Sequence, residues 1–284
     1  MSDACPISIL IPAKNERGNL RACLESCRFA AEVVVVDSHS TDGTQAIAAE
    51  LGATVVDFAW NGRFPKKKNW ALANVPWKHE WVFILDADER ITPGLAEELR
   101  RVAANPDCDG YYVNRRFWFL DGWLQHCGYY PSWNLRFFRH RLGRYEQFEG
   151  AADTGSGDNE VHEHVILQGK SGKLSAEMEH YAFPTIDVWV EKHNRYSNWE
   201  ARLLVAAKKG GEAGTLDPAL ARKRLLKRLA GGLPFRPTLR FFYHYILRGG
   251  WLDGYRGFVF CRLMGFYEFL SVSKAGELRR TAPR

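Results

Sequence analysis

The sequence predicts an α/β fold, a mixed sheet flanked by helices, followed by a helical C-terminal appendage rich in aromatic and basic residues. Three observations carry this. Short, continuously apolar runs alternate with stretches of helical spacing over about the first hundred residues, acidic residues close two of those runs, and basic residues concentrate after position 221. Apolar strands alternating with helices are the pattern of βαβ units around a parallel sheet covered on both faces.

The elements follow in order. Ile7 to Ile11 is a strand ending at Pro12, and Leu20 to Ala31 has helical spacing. Val33 to Val36 is a β-branched strand ending at Asp37; Thr44 to Leu51 is a helix closed by Gly52, and Ala53 to Phe58 is a third strand. A helix over Lys67 to Ala73 precedes the buried strand Trp81 to Leu85, which ends at Asp86. A helix runs from Pro93 to Ala104. Gly110 to Phe119 and Asn134 to Arg139 are strands rich in aromatic residues and arginine, and a turn-rich stretch runs from Tyr145 to Asn159. Val161 to Leu167 and Leu174 to Tyr181 are strands around the turn Gly169 to Gly172, and Ile186 to Ala207 is a long amphipathic helix ended by Gly210 and Gly211. The chain therefore divides into a domain over 1–210, with halves 1–105 and 106–210, and a C-terminal region over 211–284. There are no internal repeats.

Composition bounds the function. The 284 residues are 46% hydrophobic, which excludes disorder as the main state. No run approaches the roughly 18 to 20 apolar residues of a spanning helix, and the start MSDACPISIL lacks the plan of a signal peptide, so a cytoplasmic protein is expected. Six cysteines without a CxxC pair suit reduced, individually buried thiols rather than zinc ligands or disulfides. The net charge of +6 is unevenly placed: from Arg222 onward there are 14 basic and 3 acidic residues, net +11, whereas the first 221 carry 25 basic and 30 acidic, net −5.

Ligands of such sheets bind beyond the carboxyl ends of the strands. That rule puts Pro12 to Glu16, Asp37 to Asp42 and Asp86 to Asp88 along one rim. Asp86 and Asp88, two residues apart at a strand end, have the spacing to face one ligand, with a hard cation or a ribose hydroxyl as partner; a solvated loop, with Asp88 or Glu89 starting the next helix, fits the same residues. Asp37 has the chemistry to accept from a base N–H, with Ser38, Ser40 and Thr41 as small donors nearby, while Asp42 and Gly43 equally suit a turn. The loop Pro12-Ala13-Lys14-Asn15-Glu16 is neither a glycine-rich dinucleotide loop nor a Walker loop, which counts against a nicotinamide cofactor and a P-loop nucleotidase.

The segments ISILIPAKNE, EVVVVDSHSTDGT, KKKNWAL and WVFILDADERITPGL, in this order and spacing, resemble the nucleotide-sugar-binding half of family 2 glycosyltransferases, whose fold is termed GT-A. The later segments GYYVNRR, WNLRFFRH, EVHEHV and EHYAF, with the aromatic tail, resemble more narrowly bacterial enzymes that add sugars to the lipopolysaccharide inner core or related surface glycans. The resemblance implies that Pro12, Asn15, Glu16, Asp37 and Ser38 belong to the nucleotide pocket. Asp86 and Asp88 would form the diphosphate and metal motif, and Lys68 and Asn69 would lie near the diphosphate. Lys66 and Lys67 equally suit a solvated charge run. His180, at the end of the strand LSAEMEHY, stands where many such enzymes place a late metal-ligating histidine, a packed or solvent-facing histidine being the alternative, and Mg²⁺ or Mn²⁺ is the implied cofactor. The family's catalytic base, often within a Glu-Asp pair, has no such pair here; Glu163 is the best substitute, with Glu160 and Asp158 behind it.

The tail interleaves aromatics with arginines between Pro234 and Leu270. Two helical stretches hinged at Gly249-Gly250 would suit the interface of an anionic membrane, and packing on the protein or on a second subunit is the alternative. Nucleic acid is disfavoured by the acidic body. The expected protein is an inverting, metal-dependent transferase that moves a hexose from a nucleotide diphosphate sugar to a lipid-linked saccharide, peripheral at the inner face of the cytoplasmic membrane. A sugar-phosphate nucleotidyltransferase and a non-catalytic membrane tether are the alternatives; the first would need a glycine-rich loop after the first strand.

Overall fold

The computed structural model describes residues 4–147, 157–158, 164–208 and 235–281. Two compact units are formed, the first from residues 1–118, 131–147 and 157–182, the second from 119–130, 148–156 and 183–284.

In the first unit β1 (Cys5–Ala13), β2 (Ala30–Asp37), β3 (Thr54–Asp57) and β4 (Trp81–Ile84) form the parallel half of a sheet, and β5 (Glu89–Ile91), β6 (Gly110–Phe119), β8 (Trp133–Arg139) and β11 (Ser171–Phe183) complete it in the order β3-β2-β1-β4-β8-β6-β11-β5. The remaining short strands are β7 (Gly122–Trp123), β9 (Gly143–Tyr145) and β10 (Val165–Leu167), the last two paired with each other. Side chains alternate across the sheet. Ile7, Ile9, Ile11, Val35, Phe83 and Leu85 face a core closed by α1 (Arg17–Ser26), α2 (Thr44–Glu50) and α4 (Pro93–Ala104). Leu10, Val34, Val36, Val82 and Ile84 face the opposite core, where α3 (Lys67–Asn74) contributes Ala71 and Leu72. Burial on both faces is why these strands are apolar at every position rather than at alternate ones.

Two local expectations are corrected. The helix expected over Leu20 to Ala31 stops at Ser26, because the chain turns at Cys27 and Phe29 joins the sheet, its carbonyl accepting from Cys5 N at 2.8 Å. Glu89 does not start the next helix; it lies in β5, and α4 is capped by Thr92, whose Oγ1 accepts from Leu95 N at 3.2 Å, with Pro93 in the first turn.

The second unit is helical. It comprises α5 (Ile186–Lys208), α6 (Arg236–Phe242) continued by a π-helical turn (Tyr243–Leu247), a 3₁₀ turn (Gly250–Asp253) and α7 (Gly254–Thr281). The long helix expected at the end of the 1–210 domain is grouped with the tail. Lys274 of α7 ties it there, donating to Asn194 Oδ1 at 2.7 Å, Ser197 Oγ at 2.8 Å and Asn198 Oδ1 at 2.6 Å. The expected hinge is present: Gly249 adopts φ +68° and Gly254 φ +61°, backbone that glycine supplies without steric cost. Gly257 is required for packing, since a Cβ there would stand 1.9 Å from the Gly250 carbonyl oxygen. All six cysteines are reduced and buried, with Cys127 and Cys261 in contact at 3.6 Å. No helix among the described residues is long and apolar enough to cross a membrane.

Candidate active site

The strand registers assemble the rim. Ala13 of β1 lies opposite Asp37 of β2, and Asp37 opposite Asp57 of β3. Beyond β4, Leu85 N donates to Leu10 O at 3.0 Å, so Asp86 emerges next to the loop that follows β1. On the other side His180 of β11 pairs with Glu89 of β5, and Tyr181 N donates to Asp88 O at 2.8 Å. This register closes a long gap in sequence: His180 Nε2 stands 3.6 Å from Asp88 Oδ1.

The loops after β1 and β2 are laced together. Asn15, at φ +56°, donates its N–H to Ser40 Oγ at 2.7 Å and accepts from Thr41 N through Oδ1 at 2.9 Å. Glu16 N donates to Thr44 Oγ1 at 2.9 Å and Arg17 N to Asp42 Oδ2 at 3.0 Å. Asp37 is fully buried and holds the second loop by accepting from Ser40 N and from Gln45 Nε2, both at 2.8 Å. Ser38 is also buried, its hydroxyl donating to Asp158. Pro12 and Ala13 close the buried part of β1, whereas Asn15 is exposed.

Below this rim lies a charged cluster. Lys66, Lys67 and Lys68 are all buried, so the solvated-run reading of Lys66 and Lys67 does not hold. Lys67 Nζ donates to Ala13 O at 2.7 Å and stands 3.3 Å from Asp158. Burial lowers the Lys67 ammonium, and Asp158 works against that. Lys68 meets Asp86 Oδ1 at 2.8 Å, while Arg136 bridges Asp86 Oδ2 and Glu89 Oε1, each at 2.7 Å. Burial alone would raise the Asp86 carboxyl; Arg136 and Lys68 outweigh it and hold the group well below the usual carboxylate range. Asn69 spends both ends of its amide on the main chain of Tyr145, donating to O at 2.9 Å and accepting from N at 2.8 Å. Asn69 therefore fixes the strand β9 beneath the rim. Glu163 and Glu160 lie outside the described residues.

A model of glycosyl transferase family 2 matches residues 8–157. The chain belongs to that family. It is 31% identical to the lipopolysaccharide core biosynthesis glycosyltransferase LpsC of Rhizobium meliloti, over 95% of this chain and 91% of that one. It is 28% identical to an uncharacterized glycosyltransferase of Rickettsia felis, over 95% and 89% of the two chains. Among solved structures it is similar to the mannosyltransferase PcManGT from Pyrobaculum calidifontis in complex with GDP-Man and Mn²⁺, at 17% identity and a TM-score of 0.47 over 95% of this chain and 86% of that chain.

In this family 2 glycosyltransferase, sequence reasoning missed Glu89, Arg115 and Arg136. Glu89 is fully buried, takes Arg136 and Arg115 on Oε1 and accepts from Asp86 N at 2.9 Å through Oε2. A signal existed: Arg136 interrupts the apolar run Leu135 to Phe138, and a cation inside such a run needs a buried partner. Register says which one, because Arg136 follows the Phe83/Phe137 pair toward the end of β4.

A carboxylate oxygen with an imidazole nitrogen could hold a first-row divalent cation. Asp88 and His180 converge with a carboxylate oxygen and an imidazole nitrogen, each side chain 14% exposed, and Phe117 packs edge-on against the imidazole at 5.4 Å. No group of three or more metal-ligating side chains converges among the described residues. One or two protein carboxylates suffice for a divalent ion whose sphere substrate phosphates and water complete, and Asp88 could be such a ligand.

Proposed function

We propose that the protein is an inverting, metal-dependent hexosyltransferase that takes a nucleotide diphosphate sugar as donor and a lipid-linked saccharide, of the lipopolysaccharide core type, as acceptor at an anionic membrane surface. The observation that supports it most is the convergence of Asp88 and His180 next to the ionised Asp86, on the rim shared with Asp37. In this reading Pro12, Asn15, Glu16 and Ser38 shape the nucleotide pocket, and Asp37 acts through the loop it holds. Asp86, kept charged by Lys68 and Arg136, orders the strand end that presents Asp88. Asp88 and His180 would hold the divalent cation, which when bound supplies positive charge against the diphosphate's developing negative charge.

The transfer itself needs a proton acceptor. The acceptor hydroxyl oxygen forms a bond to the anomeric carbon as the carbon–oxygen bond to the diphosphate breaks, its electron pair leaving with the nucleoside diphosphate. The hydroxyl proton passes to a carboxylate on the opposite face, for which Glu163 is the candidate. A nucleotidyltransferase reading gains no support: the amides of Asn15, Glu16 and Arg17, which a phosphate-cradling loop would leave open, are taken by Ser40, Thr44 and Asp42.

The test is hydrolysis of a panel of nucleotide sugars with and without EDTA, followed by transfer with the best donor. Activity should require the free divalent cation, and Glu163→Gln should abolish transfer while leaving donor binding near wild type. Turnover untouched by EDTA would remove the metal from the reaction, and full turnover in Glu163→Gln would reassign the base.

A further inference from the structure

Helices α6 and α7 turn many of their large apolar side chains outward. In α7 the buried stripe is Gly257, Phe260, Cys261, Met264, Gly265, Glu268, Ser271 and Ala275, small or polar apart from Phe260 and Met264, whereas Tyr255, Phe258, Phe266, Phe269 and Val272 face outward. Along α6 and the π-helical turn, Leu239, Phe242, Tyr243, Ile246 and Leu247 recur at helical spacing and are all exposed. A helix facing water shows the opposite arrangement. Of the large apolar side chains exposed among the described residues, only Trp133 and Ile166 belong to the first unit, and fourteen lie between Phe235 and Leu278. The two helices approach closely because Gly265 carries no side chain: a Cβ there would stand 3.0 Å from Pro237 O. Between them runs a groove of about 330 Å³ whose walls include Phe241, Phe242, Arg262, Phe266 and Phe269.

Charge decides what covers this face. Arg262 sits inside the outward stripe with its guanidinium over Phe241 at 5.3 Å, and Arg248 lies at the end of the π-helical turn; both are exposed, and neither has a carboxylate partner among the described residues. Two of the three acids of this region are already engaged, and the third, Glu277, lies in the last turns of α7. Glu268 takes Arg236 and Arg240, and Asp253 takes His126 N at 2.9 Å and His126 Nδ1 at 2.9 Å. A second copy of the same face would bring cations to cations, whereas an anionic leaflet supplies the missing negative charge.

We propose that the outward faces of α6, the π-helical turn and α7 form one docking surface for an anionic phospholipid leaflet, with the aromatics seated at the level of the acyl chains, the groove admitting one chain, and Arg262 and Arg248 meeting lipid phosphates. This deepens the membrane reading above and rests on it. Apolar faces flanked by arginine bind interfaces by area and by charge together, so both contributions are separable.

The experiment is flotation of the full chain with vesicles of phosphatidylcholine alone or mixed equally with phosphatidylglycerol. The wild type should float with the mixed vesicles and not with the neutral ones. Phe266→Ser with Phe269→Ser, and separately Arg262→Glu, should each lower the bound fraction at least about tenfold, with unchanged circular-dichroism melting and unchanged donor hydrolysis. Binding equal to wild type in both variants would overturn the proposal, as would failure of the wild type to float. Light scattering adds a third outcome: a wild-type dimer made monomeric by Phe266→Ser with Phe269→Ser would assign the face to a second copy instead. Flotation is read without turnover, so loss of the transferase reading and loss of the docking surface are told apart.

Discussion

At the residue scale the site depends on charges that hold one another in place. Arg136 is the clearest case, because it is 5% exposed and carries two carboxylates. Replacing it by methionine keeps the volume but leaves Asp86 and Glu89 short of a cation, and breaking one partner of a buried pair costs about 3 to 5 kcal/mol. Urea unfolding of Arg136→Met should show that loss; a change under about 1 kcal/mol would mean that Lys68 and Arg115 suffice. Asp88 and His180 lie at the edge of this cluster, and their variants should read differently. Asp88→Ala should lower turnover at least about a hundredfold. His180→Ala should mainly raise the Mn²⁺ concentration needed for half-maximal activity, by about ten- to a hundredfold. A His180→Ala enzyme with an unchanged Mn²⁺ requirement would make that histidine a packing residue against Phe117. Of these residues Asp86 and Asp88 were legible because an apolar run stops at them. Arg136 and Glu89 were not, since a lone arginine or glutamate near a strand reads as exposed until register shows what stands beside it.

At the element scale, legibility followed burial. The strands β1, β2 and β4 were readable because both faces are covered, so every position is apolar. The three-residue strands β5 and β9 were not, because β5 includes Glu89 and Arg90, β9 includes Arg144, and partners rather than periodicity create them. Helix α5 was readable as an element, but not its place with the tail, which depends on Lys274 and on the ring cluster around His193. That histidine stacks on Trp189 with centroids 3.6 Å apart, donates from Nδ1 to Trp189 O at 2.9 Å, and touches Phe183 and Tyr267 edge-on or tilted. Burial lowers its pKa to about 4. The folded pKa is depressed, so His193 contributes stability that is fully present above its unfolded value of about 6.5 and is lost as pH falls through 4. Over that window the contribution amounts to about 3 kcal/mol. Chemical unfolding of the second unit's tryptophan signal should therefore weaken between pH 6.5 and pH 4, and His193→Phe should flatten that dependence. An equal slope in both proteins would place the titration elsewhere.

At the scale of the whole molecule the net charge of +6 means little until it is divided into a body of −5 and a tail of +11. A uniformly basic protein would meet any polyanion with any face. Here Asp37, Asp86 and Asp88 line the rim proposed to meet a diphosphate, and the basic excess belongs to the region whose helices turn aromatics outward, so the two kinds of charge are separated along the chain. The separation predicts different salt responses for the two activities. Screening shortens the reach of exposed charges from about 10 Å at 0.1 M salt to about 3 Å at 1 M, while buried pairs such as Lys68–Asp86 feel little of it. Raising NaCl from about 0.05 M to about 0.5 M should therefore lower transfer to a lipid-linked acceptor in anionic vesicles at least about fivefold, and change donor hydrolysis in solution less than about twofold. Neutral vesicles should give slow transfer with little salt dependence. If hydrolysis and transfer fell together, salt would be acting on the rim itself, and the tail's charge would have no separate part in reaching the acceptor.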